Sequence, residues 1–502
     1  MVLHKVRIEP LGVVCQVPHG SPLQHVLRSY DVEFPCGGKG KCGNCRIKLK
    51  SGIIQVDALH AALLEKKGLS GEWRMACMCK VEDDLVIEIP DNGMQIMTDV
   101  STFDFEPEEG YGIAVDLGST TIVVQLLDMA SGVVLKTVSG INPQTTYGAD
   151  IISRIMYALE SEDNLMELKK KVREYIGECI SSILPDGSGE LVRKVIIAGN
   201  SVMHHLFAGY DVTPLAYSPF NSPKNGGYTC TAEELEWNLP DSCSIEFLPN
   251  ISHFVGSDII AGIQAVGMKD KDRYSLLIDL GTNGEMALGS CKGIICTSTA
   301  AGPAFEGINI SCGMRASIGA IYAMEYADSG FRCMTIGGAA PAGLCGSGLV
   351  EAVHTLLENG FIDFTGAMTD DSMMAVELCD GVRLKIEDIR EFQLAKAALA
   401  AGIRILLKQG NVDVSEVENV YITGGLGNYL DVDKIKRLGL FTEFDGDKIV
   451  KVRNAAITGC RELLFDSNRK NVEGILSGCS FCSLENLVEF QNVFCEEMFF
   501  PM

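Results

Sequence analysis

The sequence predicts an α/β fold in two parts: a small strand-rich N-terminal domain, then a larger domain of two duplicated α/β halves around a cleft. Three observations carry it. Strand-like runs crowd the first 92 residues around a cysteine loop, and an acidic stretch without periodicity follows. A strand-turn-strand phrase then occurs at Asp116 and again 163 residues later, at Asp279. Length agrees, since 502 residues at about 150 per domain suggest roughly three globular units.

In the N-terminal part, strand-like runs at Val2 to Glu9, Gly12 to Val17, Cys45 to Leu49 and Leu85 to Ile89 surround an apolar stretch at Leu59 to Leu64. That order fits a β-grasp domain. Among nineteen cysteines, most stand singly among apolar residues (Cys179, Cys230, Cys333, Cys379) and read as small buried hydrophobes. Cys36, Cys42 and Cys45 differ, because their C-x5-C-x2-C spacing lies in a loop holding four glycines. A loop that wraps a small cluster needs conformations open to glycine so that its amides approach the sulfides. Arg74-Met75-Ala76-Cys77-Met78-Cys79 offers the fourth ligand, and a strand there points Cys77 and Cys79 to one face, which leaves the choice open. Structural zinc sites usually pair two short cysteine knuckles, and only one occurs here, so the pattern favours a 2Fe-2S cluster.

Between Asp99 and Glu109 five residues are acidic (Asp99, Asp104, Glu106, Glu108, Glu109) and none is basic, which reads as a linker. Beyond it, Ala114-Val115-Asp116-Leu117-Gly118-Ser119-Thr120 and Leu277-Ile278-Asp279-Leu280-Gly281-Thr282-Asn283 each read as a strand entering a tight turn. Such a turn exposes backbone amides to phosphate oxygens, and the aspartate beside it can hold Mg²⁺ directly or through water. Val420-Tyr421-Ile422-Thr423 enters Gly424-Gly425-Leu426-Gly427, a strand-to-helix turn where a base or phosphate can approach the backbone. The first half holds its counterpart in Val195 to Ser201, a strand and small-residue turn leading into a helix from Val202 to Leu206.

The composition narrows the partners. With 47% hydrophobic and 22% charged residues the chain is not disordered in the main, and 42 basic against 66 acidic residues leave a net charge of −24. That field repels phosphate backbones and anionic lipid, so neither a nucleic-acid nor a membrane partner is expected. No apolar run reaches about 18 residues and the first twenty residues lack an export pattern, which places the chain in the cytoplasm.

The cysteine loop resembles 2Fe-2S ferredoxins of the adrenodoxin-like branch, whose recurring Arg-x-Ala-Cys implies Cys77 as the fourth ligand beside Cys36, Cys42 and Cys45. The paired Asp-x-Gly-[Ser/Thr] turns and the Thr-Gly-Gly-Leu-Gly turn resemble the actin, sugar-kinase and heat-shock-chaperone ATPase superfamily. This resemblance implies ATP between the halves, held by Asp116, Gly118, Ser119 and Thr120, by Asp279, Gly281, Thr282 and Asn283, and by Gly424, Gly425 and Gly427. The fusion of the two is similar to the reductive activators of corrinoid-dependent methyltransferases. Long phrases agree, among them Ala300 to Gly307, Gly313 to Ala316, Cys345 to Gly348, Gln393 to Ala398 and Met498 to Pro501. A short linker stands where larger members carry an extra middle domain.

The domains expected are 1–92 ferredoxin-like, 93–110 acidic linker, 111–270 first ATPase half, 271–455 second half, and 456–502 a C-terminal segment returning to the first half. The resemblance implies that a 2Fe-2S cluster, ATP/ADP and Mg²⁺ serve to return a Co(II) corrinoid protein to Co(I), fed by an upstream low-potential donor. A homodimer stays open. Glu306 and Asp258 are turn carboxylates able to orient the attacking water, although such residues more often cap helices. Ser347 reads either as a helix N-cap or as an anion contact, and the family phrase sets Lys396 beside the nucleotide. His204 and His205 read as a polar helix start near the cleft in preference to cobalt ligands, and the gaps separating Cys460, Cys479, Cys482 and Cys495 match no ferredoxin run. The rival functions are an activator of 2-hydroxyacyl-CoA dehydratases, bridging a cluster through Cys312 and Cys345, a redox-sensing small-molecule kinase, and an actin-like assembly module.

Overall fold

The computed structural model describes residues 2–9, 13–27, 45–66, 69, 71–89, 103–148, 150–185, 187–218, 220, 222–316, 319–327, 330–370, 372–425, 430–485 and 487–502. Cys36, Cys42 and Gly427 lie outside the described residues.

The N-terminal domain is a five-stranded mixed sheet in the order Val13–Pro18, Leu3–Glu9, Leu85–Glu88, Arg46–Ser51, Trp73–Met75. The first two strands form an antiparallel hairpin, and Leu3–Glu9 runs parallel to Leu85–Glu88. Alternation sends Val6, Ile8, Ile47 and Ile87 into a core shared with Leu23, Leu27 and Met75. The apolar stretch forms the helix Ala58–Lys66, whose buried His60 accepts the Met75 amide through Nε2 at 2.8 Å.

Each larger half is built on the same five-strand pattern. In the first, the order is Val133–Ile141, Thr121–Asp128, Tyr111–Leu117, Val192–Gly199, Ser244–Phe247. In the second it is Gly293–Thr299, Gly284–Ser290, Tyr274–Leu280, Val417–Thr423, Ile449–Lys451. Strand directions also repeat, with two antiparallel steps around the Asp-bearing strand and two parallel steps beyond it. The sixth strands break the likeness. Tyr228–Cys230 extends the first sheet at its parallel edge, whereas Cys479–Phe481 joins the second beside Gly293–Thr299.

After its last parallel strand, each half sends out a helix: Ser257–Ala265 from the first and Ala455–Leu463 from the second. The two helices pack on each other and fill one core with residues of both sheets, including Ala114, Ile196, Ile259, Ile260, Leu277, Ala287, Ile457 and Cys460. Their crossing is as close as backbone allows. A Cβ on Gly459 would lie 1.8 Å from the Ala261 carbonyl oxygen, and one on Gly262 would lie 2.8 Å from Leu277 Cδ2.

Three expectations need correction. The segment expected to be an acidic linker docks on the first half over residues 103–110. Phe103 and Phe105 stack on Phe465, and Lys194 bonds Glu108 at 2.6 Å and Asp466 at 2.7 Å. The C-terminal segment divides between the halves. Ala455–Leu463 lies against the first, but Cys479–Phe481 pairs with the second sheet and Val488–Glu497 packs on the helix Ile386–Gln409. Cys333 and Cys379 are half-exposed and joined in a disulfide between two hairpins, Cα to Cα 6.6 Å, so neither is a lone buried thiol.

Replacing Gly459 by Ala is expected to remove about 3 kcal/mol of stability, because overpacking here meets backbone and not a movable side chain. Gly446→Ala, which meets only a carboxylate oxygen at 3.9 Å, should stay within about 0.5 kcal/mol in the same urea unfolding measurement.

Candidate active site

The cleft floor is assembled from both hairpin turns and both crossing helices. Residues 118–120 connect two antiparallel strands, with the Gly118 amide donating to Thr121 O at 3.1 Å. A Cβ at Gly118 would stand 2.5 Å from that same oxygen, so the turn has no room for a side chain there. Asn142 Nδ2 donates to Gly118 O at 2.9 Å and steadies the turn from behind. In the second half, residues 281–283 form the matching turn, and Gly302 N donates to Thr282 O at 3.0 Å. Ser119, Thr120, Gly281, Thr282 and Asn283 are all partly exposed.

Glu306 joins the two turns. Thr282 donates its hydroxyl to Glu306 Oε1 at 2.6 Å, and Thr120 reaches Oε2 at 3.5 Å. The carboxylate rides on the turn Pro303–Glu306, which is flanked by Gly302 at φ 76° and Gly307 at φ 73°. Those are left-handed conformations that a glycine adopts without strain.

Beneath the turns lie four carboxyls. Asp116 and Asp279 end equivalent strands, Asp258 stands in the first turn of Ser257–Ala265, and Glu285 sits directly across the strand pair from Asp279. Asn454, the N-cap of Ala455–Leu463, donates to Asp116 Oδ2 at 2.7 Å while its own oxygen accepts from Ile457 N. Thr423 Oγ1 accepts from Ala455 N at 2.9 Å, which pins that helix start to the strand end beside Gly424. Burial pushes the Asp116 carboxyl up to about 6. Burial, with the charges of Asp258, Asp116 and Glu306 around it, pushes Asp279 up to about 8. Asp258 and Glu285 share a hydrogen bond and are both raised, chiefly by burial. Carboxyls at this spacing do not all ionise together near neutrality. Among the described residues no three His, Cys, Asp or Glu converge closely enough to hold a metal ion among themselves.

Gly424 has φ 93°, and a Cβ there would lie 2.6 Å from Asp279 Oδ1. The glycine turn therefore brings backbone against the acidic floor, with Gly425 open beside it. Ser347 is the second residue of the helix Gly346–Glu358, whose N-cap is Cys345, so its reading as the cap is overturned. Lys396 is corrected as well. It is fully buried in Ile386–Gln409, and its ammonium donates to Phe499 O at 2.8 Å and faces Glu497 at 3.7 Å. The C-terminal tail takes the charge that was expected to meet nucleotide. His204 and His205 are also fully buried. His205 bonds Ser201 O and Ser222 Oγ, both at 2.7 Å, and burial drives His204 down to about 3. Neither ring is open to a cobalt.

In the N-terminal domain, Cys45 Sγ and Cys77 Sγ lie 3.1 Å apart. Cys77 stands on the 3-10 turn Ala76–Met78 and not on a strand, so it and Cys79 do not share a face. Cys79 is 2% exposed and its thiol donates to Met75 O at 3.1 Å. Burial pushes it up to about 12, which disfavours the thiolate that iron requires. The C-terminal cysteines do not gather: Cys460 is sealed in the shared core, Cys479 meets Cys296, and Cys495 is exposed. Cys345 is buried with its thiol donating to Ile321 O at 3.2 Å, and burial pushes the Cys312 thiol up to about 12.

Sequence reasoning missed Asn454, Glu285, Thr423 and Asn142. The N-cap signal of Asn454 ahead of Ala455-Ala456 was available, but its reach to a residue 338 positions earlier was not.

Residues 6–82 match the 2Fe-2S iron-sulfur cluster binding domain, 111–271 the RACo middle region, and 273–502 the C-terminal ASKHA domain of RACo. The chain is 31% identical over 389 residues to the corrinoid activation enzyme RamQ of Eubacterium limosum, covering 72% of this chain and 65% of that one. It is 26% identical over 392 residues to a [Co(II) methylated amine-specific corrinoid protein] reductase of Methanosarcina barkeri, covering 72% and 71%. A solved reductive activator for corrinoid, iron-sulfur protein superposes with a TM-score of 0.69 at 25% identity, over 99% of this chain and 98% of that one.

Folding raises the carboxyl pKa at Asp279, so its contribution favours the folded state below about pH 4 and is lost as pH climbs towards 8. Asp279→Asn should therefore raise the urea stability of the nucleotide-free protein by about 1–2 kcal/mol at pH 8, and by less than half that at pH 5. Equal gains at both pH values would reject the electrostatic account.

Proposed function

The chain belongs to the RACo family, and on that premise we propose that it is an ATP-dependent reductive activator that returns an inactive Co(II) corrinoid protein to Co(I). The observation that carries this reading is the pairing, in one chain, of two turns tied by Glu306 over an acidic floor with two cysteine thiols converging 3.1 Å apart. Cofactor identity, ligand set and partner are part of the proposal.

In this reading Asp116 and Asp279 would hold Mg²⁺, which would offset the negative charge of the floor when bound with ATP. The turn amides of 118–120 and 281–283 would donate hydrogen bonds to phosphate oxygens. The hydroxyls of Thr120 and Thr282 now serve Glu306, and phosphate oxygens compete for the same donors. Once displaced, Glu306 is left with acceptor oxygens directed into the cleft, where it can orient the attacking water. Gly424 and Gly425 lie where adenosine passes over backbone, and Asn454 keeps Asp116 turned to the cleft through its 2.7 Å bond.

Cys45 and Cys77, with Cys36 and Cys42, would hold a 2Fe-2S cluster, which supplies a one-electron carrier when bound. The thiol geometry fits, since Cys79 is turned away and neutral while Cys45 and Cys77 meet. Reduction of Co(II) takes one electron from an upstream low-potential donor. Each 59 mV uphill costs about 1.4 kcal/mol for such a transfer, so a gap of a few hundred millivolts needs several kcal/mol. A change of cleft conformation driven by ATP can supply it by altering relative affinity for the two cobalt states. The net charge of −24 favours a partner with a basic docking patch.

The test is anaerobic absorbance of a Co(II) corrinoid protein mixed with this chain, a low-potential reductant and Mg²⁺. Co(I) should form with ATP and not without it, and its rate should fall at least about a hundredfold in Asp279→Ala. Cys77→Ser should lose the visible cluster absorption and the activity together, while Cys79→Ser keeps both. Co(I) formed equally without ATP overturns the reading.

A further inference from the structure

The N-terminal domain touches the second half on a hairpin inserted between the strands Gly293–Thr299 and Val417–Thr423. The hairpin pairs Ala320–Ala327 with Gly330–Thr335 and ends in the turn Ile336–Gly338. Tyr322, from its first strand, donates its hydroxyl to the carbonyl oxygen of His25. The strand Val13–Pro18 and the helix Leu23–Leu27 both pack on Ile336–Gly338. Cys333, three residues before that turn, is bonded to Cys379 of the next hairpin, which stiffens the platform on its outer side.

The same hairpin is continuous with the cleft. Ile321 pairs with Leu344, Leu344 O accepts from Met314 N at 2.8 Å, and the Cys345 amide donates to Ile321 O at 3.1 Å. Gly307, next to Glu306, lies so close to this layer that a Cβ would stand 2.7 Å from Met314 O. Gly348 is closer still to the hairpin, its Cβ position 1.9 Å from Ile321 O. The contacts that lead from Gly307 through Met314 and Leu344 to Ile321 are made by backbone atoms. Packed layers of this kind shift as units and do not absorb a displacement.

We propose that the hairpin 320–338 is the docking platform of the N-terminal domain and relays the state of the Glu306 turn to it. When Glu306 leaves the threonine hydroxyls, Gly307 moves against Met314, the Leu344–Ile321 pair follows, and the contacts at His25 and at Ile336–Gly338 change. The inference rests on the ATP reading of the cleft, because it takes nucleotide as the agent that displaces Glu306.

Hydrogen exchange of the full-length protein, with and without Mg²⁺ and a non-hydrolysable ATP analogue, tests it. Peptides covering 116–121 and 279–284 should be protected, and exchange over 13–18, 23–27 and 336–338 should change at least threefold. In Tyr322→Phe the cleft peptides should respond as before while the change over 23–27 falls by half or more. Cys333→Ser combined with Cys379→Ser should weaken the distal response in the same way and quicken exchange over 330–335. Cleft protection with no change in the N-terminal peptides overturns the relay and leaves the ATP reading intact. Silent cleft peptides overturn the ATP reading and the relay with it.

Discussion

The close crossing of Ser257–Ala265 and Ala455–Leu463 is the constraint on which the cleft depends. Each helix starts where its half's last parallel strand delivers it, and each start carries a cleft residue: Asp258 on the first helix, Asn454 on the second. With Gly459 against the Ala261 carbonyl, the helix axes approach closely enough to seat both starts under the paired hairpins. A wider crossing would withdraw Asn454 from Asp116 and open the shared core that runs from Ala114 to Leu277. The backbone contact at this crossing thereby fixes how closely the two helix starts approach beneath the cleft.

What that packing brings together is electrostatically unfavourable by itself. Asp116, Asp258, Asp279 and Glu285 share a floor on which burial raises every carboxyl, and neighbouring charges add to it at Asp258, Asp279 and Glu285. Stability alone would select an amide or an apolar residue at such positions. A concentration of groups held away from their preferred ionisation is the mark of a site that binds charge. Glu306 adds an anion to this set yet is held by two hydroxyls, so the closed turn is maintained by neutral donors that phosphate oxygens can take over.

The duplicated halves were readable because their signal is local. An apolar strand entering an Asp-Leu-Gly turn needs only about ten residues, and both copies fold as that pattern requires. Readings that depended on tertiary placement fared differently. Lys396 carries a charge suited to phosphate, but the C-terminal tail covers it, and nothing within its helix reports a segment some hundred residues downstream. Ser347 missed the cap by two positions because Cys345 supplies the extended residue there without a side-chain bond. The acidic stretch 103–110 reads as solvated until Phe465 provides a surface for Phe103 and Phe105. Cys333 and Cys379 stand 46 residues apart with apolar neighbours, and only hairpin packing makes them a pair.

The two anchor points of the N-terminal domain add a geometric argument. Its C-terminal connection reaches the first half, where Glu108 bonds Lys194 and the phenylalanines lie on Phe465. Its docking contacts fall on the second half, at Tyr322 and Ile336–Gly338. In the proposed relay, a domain joined by chain to the first half and seated on the second meets both, so a change in their separation would shift its seat relative to its point of attachment.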